Sequence, residues 1–421
     1  MATPVSPSDS RPGGRWPEPG PRRMFRWTAY VLAVTAVGAA VPTPLYPIYE
    51  SRFGFPAGTL GVIFAGYTVG VLLVLFLVAP QAEYVGRRKL LALGMVFTAL
   101  ASVDFAFSNG VALLALGRLI SGLSVGATTS VATATMADLE PNRDQHHVAR
   151  VAVAANFGGF AIAVFVSGLL VAFAPDATQL PYLLPLGASV VGLAAVGMLP
   201  ETATALGTRP PHRVQRISIP PHVRRAFWVA AGGIAACYAL YGLFAALVPS
   251  YLRVGLSIGS PAAAGGVVAL MFGTAAAVQL FTSQIRDRRA LLVGFPLLLA
   301  SVAVLVVALA LSASDVLLGV TVVLGASVGL TYMGSTTLAD RIATESERGE
   351  LLAGFYSAGY LALALPTVGV AIASSFVGLP DAAIVLGAVV ALLVAVLYGA
   401  TVRTPTPPGG GGRPTDARPP R

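Results

Sequence analysis

Two serines of the chain stand in the pattern Gly-x-Ser-x-Gly, which surrounds the nucleophile of many hydrolases. They are Ser124, within residues 122–126, and Ser327, within residues 325–329. Such a nucleophile requires a sharp strand-to-helix turn and a histidine base close to it. Both serines lie instead inside long apolar stretches. All four histidines fall in polar segments, at His146, His147, His212 and His222. We therefore predict that the chain is not an enzyme.

Chemistry that depends on a cofactor or a metal has little support in the composition. The single lysine, Lys89, follows Arg88, so the chain lacks the Gly-Lys-Ser/Thr sequence of a nucleotide-binding P-loop. The single cysteine, Cys237, excludes an intramolecular disulfide and a cysteine-based metal site. We predict no cofactor and no metal, and any energy that the protein uses must then come from a gradient.

Arg118 and Asp104 are the charged residues that lie within the apolar stretches. An arginine in a membrane helix costs about 2.5–3.5 kcal/mol on insertion scales, so it needs a polar partner or a water-filled cavity. Asp104, near the end of the preceding stretch, is one candidate partner. The alternatives are that Asp104 is an interface residue and that Arg118 extends to the membrane surface. We favour an Arg118 that faces a cavity.

The composition of the chain predicts a membrane protein. Of the 421 residues, 56% are hydrophobic and only 11% are charged, whereas about a quarter are charged in a soluble domain. Twelve apolar runs are each long enough to cross about 30 Å of hydrocarbon as a helix. They are apolar on all faces, unlike the strands of a membrane barrel. The predicted spans are 27–49, 59–79, 90–107, 111–137, 151–173, 182–199, 226–252, 263–285, 290–311, 316–339, 351–376 and 382–401.

The basic residues predict the orientation of this all-α membrane protein. Of the 27 Lys and Arg residues, 24 fall in segments on the side of the two termini. The other three are Arg52, Arg118 and Arg253. Because such an excess marks the cytoplasmic face, we expect both termini in the cytoplasm and a multi-pass protein of the inner (plasma) membrane. The net charge of +9 is then a signal of topology, and we expect the lipid bilayer and no nucleic acid as a partner.

The two halves of the chain repeat each other. Residues 122–128 of span 4 match residues 325–331 of span 10, and Arg87-Arg88 matches Arg288-Arg289 at nearly the same offset. We predict two six-helix bundles with a substrate site near the midplane between them. The predicted parts are disordered tails at 1–26 and 402–421, bundles at 27–199 and 226–401, and a cytoplasmic linker at 200–225.

The loop after span 2 resembles the cytoplasmic signature of the major facilitator superfamily, on the residues Glu83, Gly86, Arg87 and Arg88. Span 4 is similar to another signature of that family, on Arg118, Gly122 and Gly126. The resemblance covers residues 27–401 and points to a 12-span member similar to bacterial drug and metabolite exporters. It implies two pseudo-symmetric bundles (the MFS fold), no enzymatic activity, and transport of a small molecule by alternating access.

Three sets of residues are candidates for the work of such a carrier. An acid near two arginines can lock helix ends in one conformation and release them in another, although plain solvated charge is an alternative. The candidate gate residues are Glu83, Gly86, Arg87, Arg88, Asp138, Arg143, Asp340 and Arg348.

The candidate hinges are prolines that free backbone carbonyls, namely Pro42, Pro44, Pro249 and Pro366. With Arg118 and Asp104, the candidate cavity residues are Tyr30, Tyr46, Asn156, Tyr238, Tyr241, Gln279, Tyr332 and Tyr356, and we expect some of these tyrosines to lie in the interface belts instead.

The predicted function is secondary active transport of a small molecule by a monomer, foremost the proton-linked efflux of an amphipathic or drug-like compound. The proton would be carried by Asp104, or by Glu83, Asp138 or Asp340 at the cytoplasmic edge, since no acid lies near the middle of any span. Without a carrier for protons the protein would be a facilitator. A transporter of sugars or other neutral metabolites is the alternative within the same fold, and a non-transporting membrane sensor is the alternative from another class.

Overall fold

A computed structural model describes residues 20–403 apart from 56, 177, 204–215, 247, 283–284, 286, 312 and 345–346. Most of each predicted tail and the middle of the predicted linker lie outside the described residues. Within the described residues the chain forms helices and no strands. Twelve helical segments are long and apolar enough to cross a membrane. The structure thus confirms the predicted all-α architecture with 12 candidate membrane spans.

Sixteen helices make up these spans in the described chain. The first half contains α1 (Pro21–Ala40), α2 (Tyr46–Phe53), α3 (Ala57–Leu77), α4 (Ala82–Val85), α5 (Arg87–Ala106), α6 (Val111–Leu139), α7 (Gln145–Val153), α8 (Gly159–Phe173) and α9 (Leu180–Gly197). The second half contains α10 (Arg224–Ala246), α11 (Val248–Gly255), α12 (Pro261–Thr282), α13 (Asp287–Ala310), α14 (Ser314–Ile342), α15 (Arg348–Val377) and α16 (Leu379–Arg403). Spans 1, 2 and 5 each contain two consecutive helices, and α11 continues span 7.

The first helix begins earlier than the sequence predicts. Residues 21–26, predicted as the end of a disordered tail, form the first turns of α1. Pro21 starts the helix, where its fixed φ favours helical backbone and its missing N–H costs no hydrogen bond. Phe25 is buried and stacks on the ring of His147, with the ring centroids 5.3 Å apart. The predicted boundary at residue 26 is therefore wrong, because this packing extends the helix beyond the apolar run.

Two of the predicted hinge prolines coincide with a break in the first span. A short 3-10 turn, Thr43–Leu45, joins α1 to α2, with Pro42 before it and Pro44 inside it. Pro366 differs, because α15 remains one helix through it. Pro249 lies in α11, two residues after position 247, which is outside the described residues. The prediction of a hinge at Pro249 therefore stays a prediction.

The helices pack in two equivalent sets. In the first half, α6 contacts α1, α3 and α5, and α5 also contacts α9. In the second half, α14 contacts α10, α12 and α13, and α13 also contacts α16. These are the same pairs of spans in both halves, as the internal repeat predicts. Across the two halves, α3 contacts α15, α8 contacts α12, and α2 contacts α11.

The outside of the molecule is apolar. Phe173, Phe281 and Phe376 are each more than four-fifths exposed, and many valines and leucines of the long helices are exposed as well. A water-soluble monomer rarely exposes continuous apolar surface on this scale. The surface therefore fits lipid tails along the spans.

Candidate functional site

A cavity of about 100 Å³ lies between the two halves of the molecule. Most of its wall is aromatic, and both halves contribute. The aromatic lining residues are Phe64, Tyr67, Phe157, Phe160, Tyr238, Tyr241, Phe272, Tyr332 and Tyr360. Among the described lining residues, Arg118 carries the only charge and Asn156 the only side-chain amide. The cavity therefore suits a solute with aromatic or other apolar surface and few polar groups.

Aromatic rings connect the two halves across this cavity. Phe157 of the first half lies 5.0 Å from Tyr332 and 5.6 Å from Tyr241 of the second half, between ring centroids. Phe160 stacks on Phe272 at 4.3 Å, again across the halves. Such offset and edge-to-face pairs contribute about 0.5–1.5 kcal/mol each beyond burial. A solute that separates these rings would replace their contacts with its own.

Arg118 lies in α6 against the wall of the cavity and is only 2% exposed. Its Nη1 donates to the backbone oxygen of Ala39 at 2.8 Å, and its Nε donates to the hydroxyl of Tyr46. Its Cζ lies 4.7 Å from the centre of the Phe64 ring and 5.2 Å from that of Tyr46. Its Nη2 has no hydrogen-bond partner in the part of the chain that the structure describes. The predicted cavity-facing arginine is thus present, held on two sides and unpartnered on the third.

Asp104 does not pair with Arg118. The carboxylate lies beside Gly117 of the neighbouring helix α6, where a Cβ would meet Oδ2 at 2.5 Å. Oδ2 is buried and has no hydrogen-bond partner. The hydrogen bonds of Arg118 go instead to Ala39 in α1 and Tyr46 in α2. Within the described residues, Arg118 is thus stabilised by α1, α2 and aromatic rings rather than by an acid.

Span 5 contains a π turn at the level of the cavity. Residues Ala154–Gly158 form it, between α7 and α8. Asn156 and Phe157 belong to this turn and line the cavity. A π turn adds a residue to the helix and changes which side chains face inward, and such turns are frequent at functional sites. The local departure from α-helix places both side chains at the cavity.

Five of the ten predicted coupling and cavity residues line the cavity: Arg118, Asn156, Tyr238, Tyr241 and Tyr332. Tyr46 lies behind Arg118 and orients it. Tyr30 donates instead to the backbone oxygen of Ala188 in α9, at 2.9 Å. Gln279 donates to Ala275 of its own helix at 3.1 Å, and Tyr356 packs edge-on against Phe355. Polarity alone did not separate residues that face the cavity from those that fix helices to each other.

The prediction missed all four phenylalanines of the wall, and Tyr67 with them. Phe64 and Tyr67 lie three residues apart on α3, and Phe157 and Phe160 three apart on span 5, so each pair shares a helix face. That spacing was visible in the sequence. It does not distinguish a cavity wall from ordinary helix packing, because both use apolar side chains at the same period.

The two Gly-x-Ser-x-Gly serines lie inside helices. Ser124 in α6 donates to the backbone oxygen of Gly94 at 2.8 Å and shares a hydrogen bond with Thr98 at 2.7 Å. Ser327 in α14 donates to Leu324 one turn earlier. The hydroxyl of Ser124 thus joins α6 to α5, and that of Ser327 bonds within its own helix. The described residues also contain no group of three or more His, Cys, Asp or Glu that could hold a metal ion.

An ion pair joins the two halves at the far face, which we define as the end of the molecule opposite residues 20 and 403. Glu50 in α2 accepts hydrogen bonds from Arg253 at 2.8 Å and from Ser250 at 2.9 Å, both in α11. Arg253 also donates to the backbone oxygen of Pro47 at 2.6 Å. We call Glu50, Ser250 and Arg253 the far-face latch. The prediction missed it because nothing local shows that residues about 200 positions apart meet.

Small residues close the far face further. Gly168 near the end of α8 and Gly265 near the start of α12 approach each other backbone to backbone. A Cβ on Gly265 would lie 2.7 Å from the oxygen of Val164 and 3.1 Å from the Cα of Gly168. Only glycine allows this approach. The far-face ends of the two halves are therefore in direct contact.

At the terminus face, where residues 20 and 403 lie, the predicted gate residues of the first half other than Arg143 form one cluster. The Arg87 side chain binds Glu83 at 2.6 Å and also Asp138. The backbone N–H groups of Arg87 and Arg88 donate to Glu201, at 2.8 Å and 3.2 Å, which stabilises the start of α5. Gly86 precedes that start with a φ of 107°, a conformation that favours glycine.

The gate residues of the second half form a separate contact. Arg348 binds Asp340 at 2.8 Å, and both side chains are about half exposed. Arg143 of the first half has a positive φ of 53° and no ion pair in the described structure. In this conformation the latch of the far face is closed. The ion pairs described at the terminus face, Arg87 with Glu83 and Asp138 and Arg348 with Asp340, each lie within one half.

Two drug-resistance proteins are similar in sequence to part of this chain. The quinolone resistance protein NorA of Staphylococcus aureus is 23% identical over 134 residues, which is 32% of each chain. The class E tetracycline resistance protein of Escherichia coli is 30% identical over 144 residues, 34% of this chain and 35% of the relative. The matched segments thus span about a third of these relatives.

A solved structure and a family model extend the comparison over the chain. The crystal structure of the human organic anion transporter MFSD10 (TETRAN) matches with a TM-score of 0.66 at 16% identity, over 91% of this chain and 100% of that one. At that identity the likeness shows the fold alone. The family model described as Major Facilitator Superfamily matches residues 28–366. The chain therefore belongs to the major facilitator superfamily, whose members are membrane transporters and not enzymes.

Proposed function

We propose that this transporter exports an amphipathic, drug-like compound in exchange for protons. The observation that carries the proposal is the largely aromatic cavity between two equivalent bundles. The relatives named for quinolone and tetracycline resistance support export of compounds of this kind. Sugars are a poorer match, because a sugar needs hydrogen-bonding groups around its hydroxyls and the described wall offers chiefly phenyl and phenol rings.

The positive-inside distribution supports a cytoplasmic terminus face and an extracellular far face in the plasma membrane. The closed far-face latch then represents a state shut toward the outside. Opening to the outside requires Glu50 to separate from Arg253 and Ser250, and Gly168 to separate from Gly265. Rocking of one bundle against the other does both at once, because all of these contacts lie at the same end of the molecule.

Asp104 is the residue that we propose to carry the proton. Its Oδ2 is buried and has no hydrogen-bond partner among the described residues, and an acid within a membrane span is by default a candidate for a proton relay. It lies against α6 at Gly117, the residue before Arg118. A change of charge at Asp104 would therefore act on the helix that carries the cavity arginine. The acids at the terminus face, Glu83, Asp138 and Asp340, lie on the gates and remain the alternative carriers.

The test is transport by the purified full chain in lipid vesicles with an imposed pH gradient. We expect flux of quinolone-like and tetracycline-like compounds against their gradient, abolished by a protonophore. Expression in a host that lacks its own exporters should raise the concentration of drug that the cells tolerate. Flux that runs only down the gradient and ignores the protonophore would indicate a facilitator, and no flux of any solute would indicate a sensor. Either result overturns the proposal.

A further inference from the structure

The Nη2 group of Arg118 is buried and has no hydrogen-bond partner among the described residues. The other two nitrogens, Nε and Nη1, donate to Tyr46 and Ala39. A charged donor held in an apolar environment without an acceptor is costly. Since Arg118 lines the cavity, an acceptor of negative charge inside the cavity would relieve that cost.

The charge around the cavity has one sign. The described lining residues include Arg118 and no acid, and Asp104 makes no ion pair with Arg118. Aromatic rings can bind cations through their faces. Two of the rings nearest Arg118, Phe64 and Tyr46, already present their faces to the guanidinium, at 4.7 Å and 5.2 Å. A cationic solute would meet a positive charge with no acid to offset it.

The rest of the cavity wall favours a solute that contains an aromatic ring. Tyr238 contacts Tyr360 at 5.2 Å and Tyr241 at 5.9 Å, and Phe272 stacks on Tyr241 at 4.7 Å. A planar ring can insert among such side chains by offset or edge-to-face contacts. The cavity volume of about 100 Å³ is on the scale of a single-ring compound in this closed state.

We infer that the cavity binds an aromatic solute with a single anionic group, such as a carboxylate, whose oxygen accepts a hydrogen bond from Nη2 of Arg118. Arginine suits this role because its planar fork presents fixed donors to a carboxylate or a similar oxyanion. This deepens the proposed function, on which it rests for the step of transport. The proposed substrate class is thereby narrowed from drug-like compounds to aromatic monoanions, and cationic compounds are excluded.

Three single-ring probes of different charge test the preference in the wild-type full chain in nanodiscs: benzoate, benzamide and the phenyltrimethylammonium ion. We expect benzoate to bind about tenfold or more tightly than benzamide, since a hydrogen bond to a charged group is among the strong ones. We expect phenyltrimethylammonium to bind most weakly. Equal binding of benzoate and benzamide, preference for the cation, or no binding of benzoate up to its solubility limit would each overturn the inference.

A variant assigns the preference to Arg118. Arg118→Gln keeps hydrogen-bond donors and removes the charge, so benzoate and benzamide should then bind with equal affinity. The matched control is Arg52→Gln, which removes an exposed arginine whose side chain bonds Thr178 at 3.4 Å; the preference should persist. Retention of the preference in Arg118→Gln would overturn the assignment. If that variant does not fold, the three probes on the wild-type chain still decide the charge preference.

Vesicle transport separates this inference from the proposed function. Tight benzoate binding that depends on Arg118, without flux of any solute, would leave the site in place and reject transport. Flux of neutral or cationic compounds, with no preference for benzoate over benzamide, would leave transport in place and reject the anion site.

Discussion

The far-face latch predicts a measurable shift between conformations when Glu50 is changed to Gln. The side chain of Glu50 is 9% exposed and that of Arg253 is 34% exposed, with 2.8 Å between oxygen and nitrogen. An exposed ion pair contributes about 0–1 kcal/mol, and removal of one partner from a buried pair costs about 3–5 kcal/mol. Because this pair is only partly buried, we expect about 1–2 kcal/mol, a factor of about 5–30 in the ratio of open to closed far face.

A cysteine in the cavity measures this ratio. Ala245 lines the cavity, and the native Cys237 is buried and can be replaced by alanine in the same chain. An Ala245→Cys reporter is labelled with a membrane-impermeant maleimide from the far-face side of oriented vesicles. When opening and closing are fast, the labelling rate follows the open population. Glu50→Gln should therefore speed labelling by about 5–30-fold.

Two further variants decide whether the latch is the cause. Arg52→Gln removes an exposed charge from the same helix, whose contact is with Thr178 of the same half, and should leave the rate unchanged. Exchange of the charges, Glu50→Arg with Arg253→Glu, should restore slow labelling. An unchanged rate in Glu50→Gln, or a fast rate in the exchanged pair, would refute the reasoning.

Three other substitutions have defined outcomes. Gly265→Val should open the far face and speed labelling of the cavity cysteine. A Cβ at this position would lie 2.7 Å from the oxygen of Val164 and would force the bundles apart, at a cost of about 1–3 kcal/mol. Labelling as slow as in the wild type would contradict the close approach of the bundles. Asp104→Asn should keep exchange of solute across vesicles but abolish accumulation driven by a pH gradient, and accumulation equal to wild type would remove Asp104 as the proton carrier. Asp138→Asn should lower the free energy of unfolding by at most about 1 kcal/mol, because Asp138 is half exposed and Arg87 still pairs with Glu83. A larger loss of stability in a denaturant titration would contradict this minor role for the pair of Arg87 and Asp138.

The spans were predictable because their signal is local. Each needs only a run of apolar residues long enough for the bilayer, and the structure has all twelve. The repeat was visible for the same reason, since equivalent residues recur along the chain. Arg118 was identifiable because a charge in an apolar run is costly wherever the run packs. The start of α1 at Pro21 was not predictable, because residues 21–26 include three arginines and the stacking of Phe25 on His147 is a contact between distant residues.

The latch and most of the cavity wall depend on how the two bundles meet. Glu50 and Arg253 each end a predicted span, where a charge is ordinary, and only their approach across the molecule gives them a role. Phe157 and Phe160 are apolar residues in an apolar helix, and the π turn that reorients span 5 has no simple sequence signal. Tyr30 resembled a cavity tyrosine, yet its hydroxyl fixes α1 to α9. Tertiary packing, not residue type, separates these cases.

The central claim is that the two bundles rock about the cavity so that its two faces open in turn. Spin labels at two pairs of exposed positions test it directly by distance measurement: Arg52 with Gly259 at the far face, and Asn142 with Arg289 at the terminus face. We predict that addition of a transported compound together with a change of pH lengthens the distance between the far-face labels and shortens the distance between the terminus-face labels. Distances that stay fixed, or that lengthen together, would contradict the account.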